Sequence, residues 1–207
     1  MGRRVVIDLS ARPLVACEDG RKVLRVGGVI QSVDVNETYR PDIWDAMLPS
    51  ERPERVLILG LGGGTMAALL TKRWGEVPIV GVERDPAVVF LARTEFGLDA
   101  HPHLQIVTED AFAFVRRCEQ RFDAICVDLY TAGKMAHGVL DPSFMRAVVR
   151  LLTPTGVVMF NLWRSPYLAD QLRRLKRVFA VREIVEVGDN VVVRCGHLPV
   201  DEAPSAD

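Results

Sequence analysis

The sequence predicts an α/β fold in which a Rossmann-type sheet, mostly parallel, carries helices on both faces and follows a small N-terminal antiparallel β region. Three observations predict it. From residue 55 onward, apolar strand-like runs alternate with helix-like stretches, which is typical of a parallel sheet covered on both faces. A cluster of glycines directly follows the first of these runs. Residues 3–35 instead contain short β-prone runs separated by turn residues, which is typical of antiparallel hairpins.

The individual elements follow from hydrophobic patterns and turn residues. In the N-terminal part, the pattern predicts strands at 4–9, 14–17 and 23–26, turns at 18–20 and 27–28, and a short helix at 41–48. The later strands are predicted at 55–60, 78–83, 104–107, 122–128 and 156–161. The later helices are predicted at 64–74, 86–96, 111–118, 142–152 and 167–180. Turn residues at 188–190 predict a final hairpin of strands 181–187 and 191–195.

Composition and charge narrow the classes of protein. The net charge of −1 gives no general attraction to nucleic acid or to an anionic membrane, so we expect neither partner. The four cysteines lie far apart without C-x-x-C spacing, which is typical of isolated thiols in a reducing compartment. No signal-peptide pattern is visible, and no motif predicts a metal site. We therefore expect a cytoplasmic protein.

Residues 55–65 hold the most informative motif. An apolar run leads straight into a glycine cluster, and a helix-forming stretch follows. In that order, a buried strand and a tight turn present bare backbone and the free N–H groups of a helix start to a ligand. The glycines that we expect to contact the ligand are Gly60, Gly62, Gly63 and Gly64.

Acidic residues end the next three strands, at Glu83, Asp110 and Asp128. Ligands of open α/β sheets bind beyond the carboxyl ends of the strands, so we expect these carboxyl groups to face one crevice. Glu83 follows the glycines by about 20 residues, the spacing at which an acid reaches ribose hydroxyls. Asp110 with Ala111 suits an adenine amino group, and a plain helix cap is the alternative for Asp110. Asp128 ends a strongly apolar strand. An ionised carboxyl group in such a place is energetically unfavourable unless it has a binding partner or a function.

Taken together, these residues resemble the spermidine synthase family over about residues 20 to 163. The family combines an N-terminal β region with a Rossmann-like methyltransferase sheet, and it transfers an aminopropyl group from decarboxylated S-adenosylmethionine to putrescine. The sequence pattern divides the chain into a β region and linker at 1–54, a domain at 55–198 and a tail at 199–207 that we expect to be disordered. The resemblance implies that the domain at 55–198 is a nucleoside-binding, methyltransferase-like one. The similar segments are Gly28-Val29-Ile30-Gln31-Ser32, Tyr39, 56–64, Glu83, 109–111, 127–128, 143–145 and 151–156.

The resemblance also implies roles for single residues. Gln31 is similar to a glutamine that contacts the nucleoside cofactor, and Tyr39 to a tyrosine between the cofactor and amine sites. Asp128 is similar to the aspartate that handles the attacking amine, so Asp128 and Tyr39 are the expected catalytic residues. The N-terminal strands of the family pair between two copies, which implies a homodimer.

Two positions depart from the family pattern. Gly63 stands where the family's glycine motif has an aspartate that would receive the aminopropyl ammonium, and Thr131 stands where the second aspartate of D-S-x-D-P would anchor the diamine. Loss of two carboxylates weakens a site for a dication. The donor therefore stays open between decarboxylated S-adenosylmethionine with aminopropyl transfer and intact S-adenosylmethionine with methyl transfer. We expect the acceptor to be an amine or another small molecule, such as a polyamine.

Two other functions fit parts of the pattern. A nicotinamide-dependent oxidoreductase is compatible with Gly60, Gly62 and Glu83, although Thr65 stands at the third glycine position of that fingerprint. A non-catalytic or regulatory nucleoside-binding relative is compatible with the missing acids.

Overall fold

A computed structural model describes residues 12–131 and 133–199. Its described part contains a three-stranded antiparallel sheet followed by a seven-stranded mixed sheet with helices, which confirms the predicted α/β fold. The predicted strand 4–9 and residues 200–207 of the predicted tail lie outside the described residues.

The N-terminal sheet consists of β1 (Leu14–Glu18), β2 (Arg21–Val26) and β3 (Val29–Val33) in that spatial order. A short helix, α1 (Ile43–Ala46), follows and is shorter than the predicted 41–48. The carboxylate of Asp42 caps its first turn, and that of Asp45 accepts the backbone N–H of Asp42 in return.

The larger sheet has the spatial order β11-β12-β10-β7-β4-β5-β6. Strands β10, β7, β4, β5 and β6 are parallel, and β12 runs antiparallel to both of its neighbours. Its strands are β4 (Val56–Leu59), β5 (Ile79–Glu83), β6 (Leu104–Thr108), β7 (Phe122–Val127), β10 (Leu152–Trp163), β11 (Ala180–Val187) and β12 (Asn190–Gly196). A separate small hairpin consists of β8 (Tyr130–Thr131) and β9 (Lys134–Met135). The helices are α2 (Thr65–Trp74), α3 (Pro86–Phe96), α4 (Ala111–Arg117), α5 (Pro142–Leu151) and α6 (Leu168–Lys176).

A hydrophobic core lies on each face of this sheet. Successive side chains of a strand point to opposite faces, so Leu57 and Leu59 of β4 join one core while Val56 and Ile58 join the other. Helices α4, α5 and α6 cover the first core. The second core is covered by α1 and α2 together with residues of the N-terminal sheet. The N-terminal sheet is thereby held beside the glycine cluster that follows β4.

Two further predicted boundaries are wrong. The predicted helix 167–180 ends at Lys176 because the chain enters β11 at Ala180. The predicted strand 156–161 is the middle of a longer β10, which begins at Leu152 opposite Phe122 and passes an irregularity before Val157. Within the described residues the longest helix has 11 residues, too few to cross a bilayer.

Candidate active site

The glycine cluster forms the turn between β4 and α2. Gly60 has a φ of 91°, and a Cβ at this position would lie 2.1 Å from the carbonyl oxygen of Asp128. Only glycine permits both this conformation and this close approach. Gly62 turns its backbone toward the open side of the loop, where its N–H donates to Oε2 of Glu83 at 3.1 Å. The strand ends of β4, β5 and β7 are thus tied together around one hollow.

This hollow, the glycine pocket, encloses about 560 Å³ including its open mouth. It lies at the carboxyl ends of the parallel strands, where ligands of such sheets bind. Three acidic residues from separate strand ends line it together, as expected from the topology. The predicted site residues in its lining are Gln31, Gly60, Gly62, Glu83, Asp110, Ala111 and Asp128.

The other two predicted glycines are buried behind the loop and are not in that lining. The N–H of Gly63 donates to Oγ of Ser32 at 2.7 Å, and a Cβ on Gly63 would lie 2.9 Å from Cβ of Ser32. A Cβ on Gly64 would lie 2.3 Å from a methyl group of Leu98. These two glycines shape the turn by allowing close packing.

Strand β3 is fastened to the loop by a second hydroxyl. Oγ1 of Thr65 accepts the N–H of Val33 at 2.8 Å and donates to the carbonyl oxygen of Val33 at 2.7 Å. Thr65 and Ser32 are both buried. Together these contacts fix the strand that carries Gln31 into the glycine pocket. Sequence reasoning assigned no role to either hydroxyl.

Glu83 and Asp110 each use part of their carboxylate to hold the backbone. Oε1 of Glu83 accepts the N–H of Asp85 at 3.1 Å, opposite the bond from Gly62. Oδ1 of Asp110 accepts the N–H of Ala113 at 3.0 Å and caps α4. The helix-cap alternative for Asp110 is therefore present, and the carboxylate also lines the pocket.

Asp128 has two neutral donors. Its Oδ1 accepts the side-chain amide of Asn161 at 2.8 Å, and its Oδ2 accepts the indole N–H of Trp44 at 3.2 Å. Burial raises the pKa of this carboxyl, and the two hydrogen bonds lower it in part because they stabilise the ionised form. Asp128 is thus a carboxylate whose basicity is increased and whose orientation is fixed.

A second hollow, the tryptophan pocket, adjoins the first and encloses about 740 Å³ including its mouth. Trp44 and Trp163 line it, and it shares Gln31, Asp128 and Tyr130 with the glycine pocket. Asp128 therefore stands at the junction of two hollows.

A relay of two hydrogen-bonded side-chain amides orients Asp128. The side chain of Asn190 donates to Oδ1 of Asn161 at 2.9 Å, and Asn161 donates in turn to Asp128. Asn161 is 6% exposed. Sequence reasoning missed Asn161 and Trp44 as neighbours of the site. A polar residue near the carboxyl end of an apolar strand is a usable signal for Asn161, since the same signal identified Asp128.

Tyr39 contacts the site through α1. Its ring packs with the second core, and its hydroxyl donates to Oδ2 of Asp45. Burial, with the neighbouring carboxylate, raises the pKa of Tyr39, so the hydroxyl stays protonated. Asp45 belongs to the cap of the helix that carries Trp44. The structure thus joins Tyr39 to the tryptophan pocket by way of α1.

Comparison with known proteins gives the same class of fold. A probable spermidine synthase from Corynebacterium glutamicum superposes with a TM-score of 0.71 at 18% identity, covering 89% of this chain and 76% of that one. Human methyltransferase-like protein 13, in complex with SAH, gives 0.63 at 24% identity over 72% of this chain and 77% of that one. The chain therefore shares the α/β fold of these two proteins.

The family follows from the sequence comparison. The model of the spermine/spermidine synthase domain matches residues 36–184, which is most of the chain. The chain belongs to this family, as the resemblance predicted. A polyamine aminopropyltransferase of Vibrio vulnificus is 28% identical over 127 residues, 60% of this chain and 42% of that protein. The chain spans about half the length of the first curated relatives that it matches.

Proposed function

We propose that this protein is an alkyltransferase that moves a group from an S-adenosylmethionine-type sulfonium donor to a small amine. The observation that carries the proposal is the position of Asp128 between the glycine pocket and the tryptophan pocket. A transferase of this kind needs two adjoining sites and a proton acceptor at their junction. Family membership supports the proposal over the nicotinamide alternative.

The glycine pocket fits the nucleoside half of such a donor. Glu83 offers carboxylate oxygens for the two ribose hydroxyls, and its bonds to Gly62 and Asp85 hold it rigidly for that purpose. Asp110 and Ala111 suit the adenine amino group and ring at the other end. Gln31 lines both pockets, where it can contact the donor close to the reacting carbon.

Asp128 prepares the acceptor for attack. An amine with a pKa of about 10 is mostly protonated at neutral pH and has no free electron pair. Asp128 accepts that proton, and its raised pKa makes the transfer less unfavourable because it narrows the gap between base and amine. The amine nitrogen then bonds to the carbon next to the sulfonium sulfur. The carbon–sulfur bond breaks, and its electrons remain on sulfur in a neutral thioether.

Tyr39 acts indirectly, through its neighbours. Its hydroxyl holds Asp45, Asp45 completes the cap of α1, and α1 presents Trp44 to Asp128. In this proposal Tyr39 orients a wall of the acceptor site and does not exchange a proton.

A specific observation favours methyl transfer from intact S-adenosylmethionine as a second form of the activity. Gly63 is packed against Ser32, so the loop has neither an acid nor room for one at this position. Without that acid, an aminopropyl ammonium loses a partner and the carboxylate of the intact donor meets less repulsion. The human relative in complex with SAH has the same fold.

Incubation with each donor and a mixture of small amines tests the proposal. Mass spectrometry then separates a mass gain of one methyl from that of one aminopropyl group on the acceptor, together with release of the matching thioether nucleoside. We expect one of these pairs of products. If the protein consumes neither donor, it fits the non-catalytic alternative.

We also propose that the protein forms a homodimer through its N-terminal sheet. Within the described residues β1 is an edge strand, and its Leu14 is 52% exposed. An exposed edge of this kind can pair with a second copy. Light scattering after size-exclusion chromatography tests this, with about 46 kDa expected for twice the 23.0 kDa chain.

A further inference from the structure

The tryptophan pocket brings opposite charges to one acceptor site. Asp128 enters from the end of β7, and Arg21 enters from the start of β2 in the N-terminal sheet. The two charges therefore come from separate walls. Asp42 is the only other charged residue in the described lining.

The carboxylate of Asp42 is already hydrogen-bonded to backbone N–H groups. Its carboxylate accepts the N–H of Ile43 at 2.7 Å and forms the capping box of α1. Of the two acids, only Asp128 also lines the glycine pocket, where the donor is proposed to bind. One carboxylate is thus placed to receive the reacting amine.

Arg21 gives the pocket a cation. The residue is partly buried, and its guanidinium makes no hydrogen bond with residues 12–131 or 133–199. Its charge acts on Glu18 of β1, whose carboxylate is hydrogen-bonded to Arg25. A guanidinium suits a carboxylate group of a ligand because it offers several donors in one plane. The same guanidinium repels the second ammonium of a diamine.

Apolar and aromatic side chains form much of the remaining lining, beside the amides of Gln31, Asn161 and Asn190. Val29, Ile30, Trp44 and Trp163 line the space together with Tyr130. Such walls suit a short methylene chain. Besides the capping carboxylate of Asp42, the pocket therefore presents a carboxylate at Asp128, a cation at Arg21 and apolar side chains in the same lining.

We propose that the acceptor is an ω-amino acid, with its amine at Asp128 and its carboxylate at Arg21, and is not a diamine. This inference rests on the proposed alkyl transfer and names the class of acceptor. It requires that the enzyme prefer the ω-amino acid to the diamine. A pocket suited to two ammonium groups would show the opposite preference.

The test compares two acceptors of equal chain length, 4-aminobutanoate and putrescine. Release of the thioether nucleoside from the preferred donor gives kcat/KM for each. We expect a ratio of at least tenfold in favour of 4-aminobutanoate. Arg21→Glu should reverse the preference, and Arg21→Gln should bring the ratio close to one. Arg73→Glu, on the exposed side of α2, makes the same change of net charge far from the pocket and should leave the ratio unchanged.

The outcomes separate this inference from the function on which it rests. Donor binding is measured by calorimetry without an acceptor, and thermal melts establish that each Arg21 variant is folded. If the donor binds and putrescine is preferred, the inference is overturned alone. It is also overturned alone if neither acceptor reacts while another amine of the mixture does. A ratio that Arg21→Glu leaves unchanged also overturns it. If no donor binds, the proposed function fails first.

Discussion

The side-chain amide of Asn161 donates to Oδ1 of Asp128 at 2.8 Å, and Asn190 in turn orients that amide. The carboxylate at the junction of the two pockets is therefore held by a relay of neutral amides from β10 and β12. Its second oxygen is held by Trp44 from α1. Elements that are distant in sequence thus set both the basicity and the direction of one carboxyl group.

The first prediction concerns pH. A hydrogen bond to the ionised carboxylate lowers its pKa, so Asn161→Leu should raise the pKa of Asp128 further and move the acid limb of the kcat/KM profile to higher pH. Because a hydrogen bond to a charged group is worth about 1.5–3 kcal/mol, the shift should be about 1–2 pH units.

The limb that reports ionisation of the acceptor amine, near pH 10, should not move. Asn36→Leu is a matched control because Asn36 is exposed and outside both pockets. An unchanged acid limb in Asn161→Leu, or one moved to lower pH, would contradict the assigned sign.

The second prediction concerns Asp128 itself. Asp128→Asn keeps the size of the side chain and removes its basicity, so kcat should fall by about 10²–10⁴-fold. Donor affinity, measured by calorimetry, should change little because the proposed nucleoside contacts lie at Glu83 and Asp110. Asp99→Asn, which removes an exposed ion pair with Arg93, serves as the control. A normal rate in Asp128→Asn would remove Asp128 from the mechanism.

The third prediction concerns the donor. Glu83→Gln keeps one oxygen for the backbone and loses the charge that strengthens bonds to ribose hydroxyls. Loss of about 1.5–3 kcal/mol corresponds to roughly 10–150-fold weaker binding of the donor by calorimetry. Glu95→Gln, on the exposed end of α3, should bind normally. Equal affinity in the two variants would show that Glu83 does not hold the nucleoside.

The fourth prediction concerns the packing of Gly63. Gly63→Ala places a methyl group 2.9 Å from Cβ of Ser32, so the free energy of unfolding should fall by about 1–3 kcal/mol. Ser32→Gly removes that obstacle, although it also removes the hydroxyl that accepts the N–H of Gly63.

The double variant should therefore be less destabilised than the sum of the two single variants. Chemical denaturation of all four proteins measures this coupling. Strict additivity would show that Gly63 and Ser32 do not restrict each other.

The sequence predicted those site residues whose position depends only on the strand next to them in the chain. Glu83, Asp110 and Asp128 each lie at or just after the carboxyl end of a parallel strand. Because these ends meet at one edge of the sheet, their common pocket was predictable. The fold class followed from the same alternation of strands and helices.

Other features of the site depend on contacts between distant elements. Trp44 lies on a helix of only four residues, whose position is set by the second core and by its cap. Asn190 reaches Asn161 only because β12 pairs antiparallel with β10. The burial of Gly63 depends on Ser32 from the N-terminal sheet. No local pattern in the sequence contains these three relationships.

The central claim is that the glycine pocket holds a sulfonium nucleoside next to Asp128. Isothermal titration with intact and with decarboxylated S-adenosylmethionine tests it most directly. We expect saturable binding of at least one donor, with one site per chain and an affinity reduced at least tenfold in Glu83→Gln. Absence of binding by both donors to the folded protein would contradict the account.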